Sequence, residues 1–358
     1  MKILFISSVF YPQVGGIEIN SEILARGFVQ LGADVRLVTK TKNMNNDDID
    51  KFPFKVIRNP NILYLIKEFL WADVVFVNHL TLRLAFPLFF LIKKNVIAIC
   101  GLMLLNGERG SGRMFGKLKK WRLYKANAVI SISEKVRVLS FNKSIVIGNP
   151  YRSNLFKNYN IKKKDFVFLG RLCVQKGCDM AIEVLRLLNN EKKNNYNLTI
   201  IGDGDGDEIE KLHNMVNKYE LNQHLCFKGL LVDNELVGCL NEHKYLLVPS
   251  RGVEGFGNVV LEGMACGCLP FVSDDSGLVD AIGNAGVTFK KGDIQSMYYE
   301  IKQILNDTDL EQTIRNNATS HLNTHAPEYV TKLYYDVITS VVDNKYNYRF
   351  STGISKDE

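Results

Sequence analysis

Short continuous apolar runs, each followed by a loop and a helical pattern, recur along this chain. In the first half they lie at 2–7, 35–39, 73–78, 96–100 and 128–133. Apolar runs without polar alternation predict parallel strands buried on both faces, with the intervening helices as crossovers. The rhythm restarts at 165–170 and continues at 197–202, 225–229, 245–250 and 270–274. We therefore predict an α/β protein of two Rossmann-like doubly wound units, with ligands at the carboxyl ends of their strands.

The length of the chain agrees with two domains, because 358 residues exceed what one hydrophobic core usually organises. We predict a first domain over 1–160, which ends in a polar connector, and a second domain over 161–326. The remaining 327–358 should form a C-terminal helix, which could cross back to the first domain, and a polar tail.

The composition is that of a soluble globular protein, with 46% hydrophobic and 23% charged residues. The longest apolar candidate, 84–92, is far shorter than the ~20 residues of a membrane-spanning helix. The apolar N-terminus is followed by a glycine loop instead of a cleavage site, so we interpret it as a first strand. Seven cysteines without a CxxC pair favour free thiols in a reducing compartment. We expect a cytoplasmic protein.

The net charge of +7 conceals an uneven distribution. Residues 1–160 hold 24 Lys and Arg against 10 Asp and Glu, whereas 161–358 hold 21 against 28. The basic excess is densest over Arg109–Lys125, where Leu118, Trp121 and Tyr124 are interleaved. This pattern suits an anionic membrane surface, and the alternative is a solvated helix face with its aromatics packed inward. We see no nucleic-acid recognition motif, although the charge alone would attract a polyanion.

Two glutamates separated by seven residues are the most informative local feature. Residues 249–270 read PSRGVEGFGNVVLEGMACGCLP, which places Glu254 in a glycine-rich loop and Glu262 about one turn into the following helix. The helix should begin near Asn258, where unpaired backbone N–H groups favour an anion. The Glu262 carboxylate could accept hydrogen bonds from a ribose diol. The alternative is a glycine-rich loop before an ordinary core helix.

A second motif follows the first strand of the second domain. Residues 170–177 read GRLCVQKG, so that Arg171 and Lys176 lie five residues apart around a turn. Two fixed cations at the carboxyl end of a strand could hold a diphosphate, Arg by its planar fork and Lys as a point charge. An ordinary surface loop would also explain such a pair.

Together these motifs resemble the retaining GT-B glycosyltransferases of family four, namely their E-x7-E signature and their GRL-xxx-KG element. AVISISE at 128–134 and the stretch at 274–293 extend the resemblance over the whole chain. It implies two Rossmann-like domains facing a central cleft and a nucleotide-sugar donor bound mainly to the second domain.

The resemblance also assigns roles to individual residues. The catalytic candidates are Glu254, Arg171 and Lys176, with the two cations on the donor's diphosphate. The candidates for donor binding are Gly15, Gly16, Phe256, Gly257, Asn258 and Glu262. Among these, the Gly15–Gly16 loop would close over the phosphates from the first domain, and Glu262 would bind the ribose.

The chain departs from the family pattern at one position in the first domain. Family members commonly carry a histidine near the transferred sugar, but the run at 96–100 ends in Cys100-Gly101, where His-Gly is often found. His79, at the end of the preceding strand, could supply a sugar or acceptor contact instead. A hydrogen-bonded histidine at a strand end is an equally acceptable interpretation of His79.

We therefore predict a metal-independent hexosyltransferase-like enzyme without a cofactor. Its donor would be a UDP- or GDP-linked sugar, and its acceptor a saccharide or lipid-linked saccharide bound to the basic first domain. We expect the enzyme to act at the inner face of the membrane, in the synthesis of O-antigen, capsule or a similar cell-surface polysaccharide. The alternatives are a sugar-nucleotide epimerase or a phosphorylase of the same fold, and a non-catalytic nucleotide-sugar-binding protein.

Overall fold

The protein is described by a computed structural model that covers residues 1–13, 15–42, 51–101, 111–161, 163–191 and 194–345. The chain divides into two compact units. The first unit comprises Met1–Pro150 together with Pro327–Glu358, and the second comprises Tyr151–Ala326.

The first unit is built on a seven-stranded parallel sheet. Its strands are β1 (Lys2–Ser7), β2 (Asp34–Thr39), β3 (Lys55–Arg58), β4 (Val74–Asn78), β5 (Lys94–Ile99), β6 (Ala128–Ser131) and β7 (Ile145–Val146). They lie in the order β3-β2-β1-β4-β5-β6-β7. Strand β4 is buried along its whole length, as expected when helices cover both faces of a sheet.

The helices of the first unit connect these strands. They are α1 (Gly16–Gln30), α2 (Ile62–Trp71), α3 (Leu82–Ala85), α4 (Ser111–Tyr124) and α5 (Glu134–Ser140), with a 3₁₀ turn at Phe86–Phe89. Asn61 caps α2 by accepting a hydrogen bond from the Tyr64 N–H at 2.9 Å.

The C-terminal helix, Pro327–Val342, packs in the first unit. A Cβ at Gly27 of α1 would lie 2.4 Å from the Thr331 side chain, so the two helices approach closely because this position has no side chain. Tyr334 is buried against Phe76 of β4, with ring centroids 5.9 Å apart. The final helix therefore completes the core of the first unit.

The second unit contains a six-stranded parallel sheet. Its strands are β8 (Lys164–Leu169), β9 (Leu198–Ile201), β10 (Leu225–Gly229), β11 (His243–Val248), β12 (Leu269–Ser273) and β13 (Val287–Phe289), in the order β10-β9-β8-β11-β12-β13. Its helices are α6 (Cys178–Asn189), α7 (Gly206–Lys218), α8 (Asp233–Asn241), α9 (Asn258–Ala265), α10 (Leu278–Ile282), α11 (Ile294–Asn306) and α12 (Thr308–Asn323).

The predicted fold class is confirmed, since both units are parallel α/β sheets of Rossmann type. The prediction missed β3, β7 and β13, because runs of two to four residues give too little periodicity. Across the part of the chain that the structure describes, no helix is both long and apolar enough to cross a bilayer.

The boundary between the units lies ten residues earlier than the sequence prediction placed it. Residues 151–160, interpreted from sequence as the end of the first domain, pack on the second unit. The Asn241 side chain holds them there, because its Nδ2 donates to the Lys157 carbonyl at 2.9 Å and its Oδ1 accepts from the Tyr159 N–H at 2.7 Å. A buried side-chain amide decided this boundary, which composition could not reveal.

Candidate functional site

The two motifs of the second unit meet at one point of its sheet. The chain runs from β8 outward through β9 to β10, and then continues on the other side of β8 from β11 to β13. Strands β8 and β11 are therefore the neighbours at which the strand order reverses. The loop after β8 carries Arg171 and Lys176, and the loop after β11 carries Glu254. Ligands of open α/β sheets bind at such a switch point.

The two loops are fastened to each other through their backbones. The Gln175 carbonyl accepts hydrogen bonds from the N–H groups of Arg251 at 2.8 Å and Gly252 at 3.0 Å. Gly177 has a φ of +71°, and a Cβ there would lie 2.0 Å from the Pro249 carbonyl oxygen. A side chain at position 177 would therefore push the loops apart, which explains the glycine.

Lys176 and Glu254 form an ion pair. The Lys176 Nζ lies 2.7 Å from the Glu254 Oε1, and the Ser250 hydroxyl donates to the same oxygen at 2.7 Å. The Glu254 side chain is 17% exposed and that of Lys176 34% exposed, so the pair borders solvent. The sequence prediction placed the two residues on different parts of the donor, and the structure brings them into direct contact.

Arg171 is exposed, and its side chain makes no ion pair with any residue that the structure describes. Its charge is therefore available to an anionic ligand. The neighbouring cation Arg251 is engaged, since its guanidinium makes two bonds of 2.6 Å to the Asp179 carboxylate. Of these two arginines, Arg171 is the one whose charge remains uncompensated.

The start of α9 is shaped by two glycines. Gly257 precedes the helix with a φ of +105°, and Asn258 is the first helical residue, as predicted. The Gly277 N–H donates to the Glu254 carbonyl at 3.0 Å, and a Cβ at Gly277 would lie 2.1 Å from the Gly255 carbonyl oxygen. The third loop, after β12, thus supports the glutamate loop from its other side.

The position of the Phe256 side chain does not suit a direct contact with a sugar. It is 3% exposed, and its ring lies against His325 with centroids 5.3 Å apart. The side chain therefore anchors the loop in the core. What Phe256 can offer to a ligand is its backbone, and its role in donor binding stays a prediction.

Glu262 lies in α9 and is 8% exposed. Burial raises the pKa of its carboxyl group to about 7, and the nearby Arg152 guanidinium opposes that rise. The Arg152 Nη2 lies 3.7 Å from the Glu262 Oε1, an ion-pair distance too long for a hydrogen bond. The carboxyl group can thus change its charge near neutral pH.

Arg152 was missed in the sequence analysis. Besides Glu262, Arg152 contacts Asp233, whose Oδ1 accepts from the Arg152 Nη1 at 2.8 Å. Among the described residues, the buried Nε of Arg152 has no hydrogen-bond partner. Ser250 was missed as well. Arg152 is distant in sequence from Glu262, so no local pattern links the two residues. Ser250 lies only four residues before Glu254, and a hydroxyl at this spacing in the loop was the signal that could have identified it.

In the first unit, Gly15 and Gly16 lie between β1 and the start of α1, as predicted. Gly15 has an extended backbone and provides no side-chain cap. A Cβ at Gly15 would lie 2.6 Å from the Glu18 Oε2, so the carboxylate of the first turn occupies the space beside this glycine. An anion at this helix end would compete with Glu18 for the same partial positive charge.

His79 directly follows β4 and adopts a left-handed backbone with φ of 65°. Its N–H donates to the Ala98 carbonyl at 2.9 Å, while its buried side-chain Nδ1 finds no hydrogen-bond partner in the part of the chain that the structure describes. Burial, with a smaller contribution from Lys119, lowers the pKa of this imidazole. A neutral ring with an unsatisfied nitrogen is compatible with a ligand contact, and that role stays a prediction.

Cys100 occupies the position at which the family pattern led us to expect histidine. Its thiol donates to the Asn78 Oδ1 at 2.7 Å. Asn78 in turn donates to the Ser21 hydroxyl at 2.8 Å, and Ser21 lies 2.9 Å from the Ser7 hydroxyl. Burial raises the pKa of the Cys100 thiol to about 12, so the thiol is neutral and acts in packing and hydrogen bonding.

The basic segment of the first unit is partly outside the described residues, since Arg109 and Gly110 are not covered. Within α4, Met114, Phe115, Leu118, Trp121 and Tyr124 are all more than a third exposed. Trp121 stacks on Phe89 at a centroid distance of 5.6 Å. Arg122, counted in the sequence among the surface cations, is buried, and its pKa is lowered to about 10 by desolvation. The aromatic residues are thus more exposed than an inward-packed face requires.

The second unit matches a known family. The model of the family described as glycosyl transferases group 1 matches residues 152–321. Among relatives, the uncharacterized glycosyltransferase MJ1178 of Methanocaldococcus jannaschii is 26% identical over 342 residues, which cover 88% of this chain and 92% of that protein. Over its second unit the chain is thus similar to glycosyl transferases group 1, and over most of its length it is similar to a protein described as a glycosyltransferase.

Two further relatives match over shorter ranges. The serotype-specific mannosyltransferase WbdA of Escherichia coli is 25% identical over 242 residues, 60% of this chain but 29% of WbdA. The capsular polysaccharide biosynthesis glycosyltransferase CapH of Staphylococcus aureus is 24% identical over 182 residues, 47% of this chain and 50% of CapH. This chain therefore spans half or less of these two proteins.

Solved structures support the fold. The Anabaena protein Alr3699/HepE, crystallised in complex with UDP, has a TM-score of 0.78 to this chain at 18% identity. The alignment covers 95% of this chain and all of that one. At this identity the likeness supports the two-domain GT-B fold class, and it leaves the substrates open.

Proposed function

We propose that this protein is a retaining glycosyltransferase that moves a sugar from a nucleoside diphosphate to a saccharide or lipid-linked saccharide. The observation that carries the proposal is the contact between Lys176 and Glu254 at the point where the strand order of the second sheet reverses. A cation and a carboxylate here can act on the two halves of a nucleotide sugar, the diphosphate and the hexose.

Donor binding would begin with an exchange of partners. The diphosphate of an incoming donor attracts both Arg171, which is unpaired, and Lys176, which holds Glu254. As the phosphates take over Lys176, the Glu254 carboxylate becomes free to accept hydrogen bonds from sugar hydroxyls. The Ser250 hydroxyl keeps it in place during the exchange. Negative charge that develops on the leaving diphosphate is then met by two cations already in position.

The nucleoside would be held by α9. Its N-terminus offers backbone donors at Gly257 and Asn258, and Glu262 accepts from the ribose hydroxyls. HepE was solved with UDP, which supports testing uridine donors first and guanosine donors second.

We further propose that transfer proceeds with retention and without a metal or other cofactor. The leaving phosphate would take the proton of the acceptor on the same face of the sugar, so that the site requires no separate strong base. Lys176 and Arg171 would provide the charge compensation that a metal supplies elsewhere. Turnover that is unchanged by EDTA supports metal independence, whereas its loss and recovery with Mg²⁺ or Mn²⁺ overturns it.

The acceptor is proposed to bind the first unit, at the inner face of a membrane. The exposed aromatic and basic side chains of α4 support this, because their combination suits the headgroup region of an anionic bilayer. The name of CapH, a capsular polysaccharide enzyme, supports a role in cell-surface polysaccharide synthesis. Cytoplasmic localisation with peripheral membrane attachment follows from the same proposal.

A donor panel tests the function. Thermal shift with UDP- and GDP-linked sugars identifies the donor, since a ligand at 100 times its Kd stabilises the folded state by about 2.7 kcal/mol. The chosen donor is then incubated with the protein, and free sugar, isomerised donor and nucleoside diphosphate are measured. Release of sugar and diphosphate that is lost in Glu254→Ala supports the transferase. Isomerised donor identifies an epimerase, and tight binding without turnover in the presence of membrane extract identifies a binding protein.

A further inference from the structure

A cavity in the first unit is lined by none of the candidate site residues. It has a volume of about 740 Å³ and is lined by Asn59, Pro60, Asn61, Ile62, Leu63, Leu65, Arg83, Leu84 and Phe86. These residues come from the connection after β3, from the start of α2, and from α3 with the 3₁₀ turn that follows it. The volume is within the range of small-molecule binding sites.

One side of the cavity is apolar and open to solvent. Leu63 is 80% exposed and Ile62 is 62% exposed, although both lie on an amphipathic helix whose other residues, such as Leu65, are buried. Leu84 and Phe86 face the same space from the other side. Exposed leucine and isoleucine beside a cavity indicate a surface that an apolar ligand could cover.

The other side of the cavity is positively charged. Arg83 is the charged residue among the lining residues, and its side chain has no hydrogen bond or ion pair within the described part of the chain. Lys40, which follows β2, is close enough to Arg83 for its pKa to be lowered, mainly by burial and further by that charge. Two cations are thus held near each other without a described carboxylate as partner of either.

None of the described aspartates and glutamates pairs with either cation. Asp47, Asp48 and Asp50 follow Lys40 in the sequence but lie outside the described residues. No aspartate or glutamate occurs between Asp73 and Glu108, a range that includes α3, and Glu68 of α2 is buried and bound to Arg36 at 2.8 Å. The N-terminus of α2 at Asn61 adds partial positive charge to the same cavity. The described charges beside the cavity are therefore positive, and they attract an anion.

We propose that this cavity binds the anionic group of an amphiphilic acceptor, with a phosphate or phosphate ester at Arg83 and Lys40 and a hydrocarbon chain along Ile62 and Leu63. This proposal rests on the proposed function, because the ligand is an acceptor only if the protein is a transferase. The binding itself requires neither the donor nor the second unit.

Binding of decyl phosphate to the full chain, measured by isothermal titration calorimetry without donor, tests the proposal. We expect Arg83→Gln to weaken this binding by about tenfold or more, and Lys40→Gln to weaken it less, as loss of one charged contact predicts. Lys67→Gln is the matched control, because Lys67 lies on α2 and is exposed but does not line the cavity. It should bind decyl phosphate as the unchanged protein does.

Two further probes test the contributions of the hydrocarbon chain and of the anionic group separately. Decyl maltoside keeps the chain but lacks the charge, and inorganic phosphate keeps the charge but lacks the chain. Both should bind at least tenfold more weakly than decyl phosphate. Equal binding of either probe, or equal binding of decyl phosphate by Arg83→Gln, overturns the proposal.

A last control separates this site from the donor site. The double variant Arg171→Gln, Lys176→Gln should bind decyl phosphate with unchanged affinity, and saturating UDP should not displace it. If the double variant loses the binding, the amphiphile occupies the diphosphate site and the proposal is wrong. If decyl phosphate binds as expected but no donor is ever cleaved, the result supports the proposed binding site in the cavity. The proposed transferase function is then wrong, independently of the cavity.

Discussion

The Nζ of Lys176 lies 2.7 Å from the Oε1 of Glu254, so that the two side chains assigned to opposite ends of a donor neutralise each other. The two loops are joined by backbone hydrogen bonds at Gln175. Under the proposed function, donor binding would replace this ionic contact by another. Little reorganisation of the loops is required, which is the condition for effective electrostatic stabilisation of a leaving group.

Replacing Lys176 by methionine should lower turnover by ~10²-fold or more, because one preplaced charge on the departing diphosphate is lost. Steady-state kinetics measures this loss of turnover, with the donor that the thermal-shift panel identifies. Lys218→Met, an exposed lysine at the end of α7, is the matched control and should retain normal rates. Turnover of the Lys176 variant equal to that of the control would show that the diphosphate is bound elsewhere.

Gly177→Ala should destabilise the second unit by about 2–4 kcal/mol, since a left-handed backbone and a contact with the Pro249 carbonyl both oppose a Cβ. Gly206→Ala is the control, because a Cβ at this first residue of α7 meets no atom within 4 Å. That change should be neutral or stabilising by up to about 1 kcal/mol. Urea unfolding monitored by circular dichroism compares them, and equal midpoints would contradict the close packing of the two loops.

Donor affinity should rise with pH through about 7, because the ionised Glu262 carboxyl accepts ribose hydrogen bonds better than its protonated form. Calorimetric titration of the donor from pH 5.5 to 8.5 measures this rise in affinity. Glu262→Gln should abolish the dependence of donor affinity on pH in this range. Arg152 lowers the pKa of Glu262 against burial, so Arg152→Gln should move the midpoint upward, whereas Arg186→Gln, which alters a separate pair with Glu183, should leave it in place.

The same titration affects folding stability with the opposite sign. The pKa of Glu262 is higher in the folded protein than its usual value near 4.5, so the folded state holds a proton that the unfolded state has lost. The resulting stabilisation is complete below about pH 4.5 and disappears as the pH rises through about 7. Comparing the urea midpoints of Glu262→Gln and the unchanged protein between pH 5 and 8 isolates this contribution. Parallel pH curves for the two proteins would contradict the raised pKa.

Replacing Lys117, Lys119 and Lys120 by glutamate should release the protein from anionic vesicles, since each basic residue near such a surface contributes about 1 kcal/mol. Sedimentation with vesicles of phosphatidylglycerol and phosphatidylcholine measures the bound fraction. Lys135, Lys332 and Lys345 lie in the same unit outside α4, and their triple change to glutamate is the control for net charge. Similar loss in both variants would point to general charge attraction instead of a membrane surface on α4.

The local sequence was sufficient for the elements with strong periodicity and for the motifs attached to them. The start of α9 at Asn258 and the bounds of β10 agree with the prediction, because apolar runs and glycine loops report directly on the backbone. Shorter or more polar elements, among them β3, β7, β13 and α12, were not predicted, since tertiary packing stabilises them more than their own composition does. The positions of Arg171, Lys176 and Glu254 in the loops that follow strands were likewise readable from the sequence.

Pairwise relationships were decided by the tertiary structure. Lys176 and Glu254 are 78 residues apart in the chain, and nothing in either motif states that they touch. The contacts of Arg152 with Glu262 and of Cys100 with Asn78 arise in the same way, from strands and helices that neighbour each other only after folding. Sequence patterns specify which backbone a segment prefers, whereas burial and the charge state of a carboxyl or thiol depend on distances between segments. The sequence therefore determined two parallel α/β units and the loops that carry their chemistry, and the fold decided which charges on those loops meet.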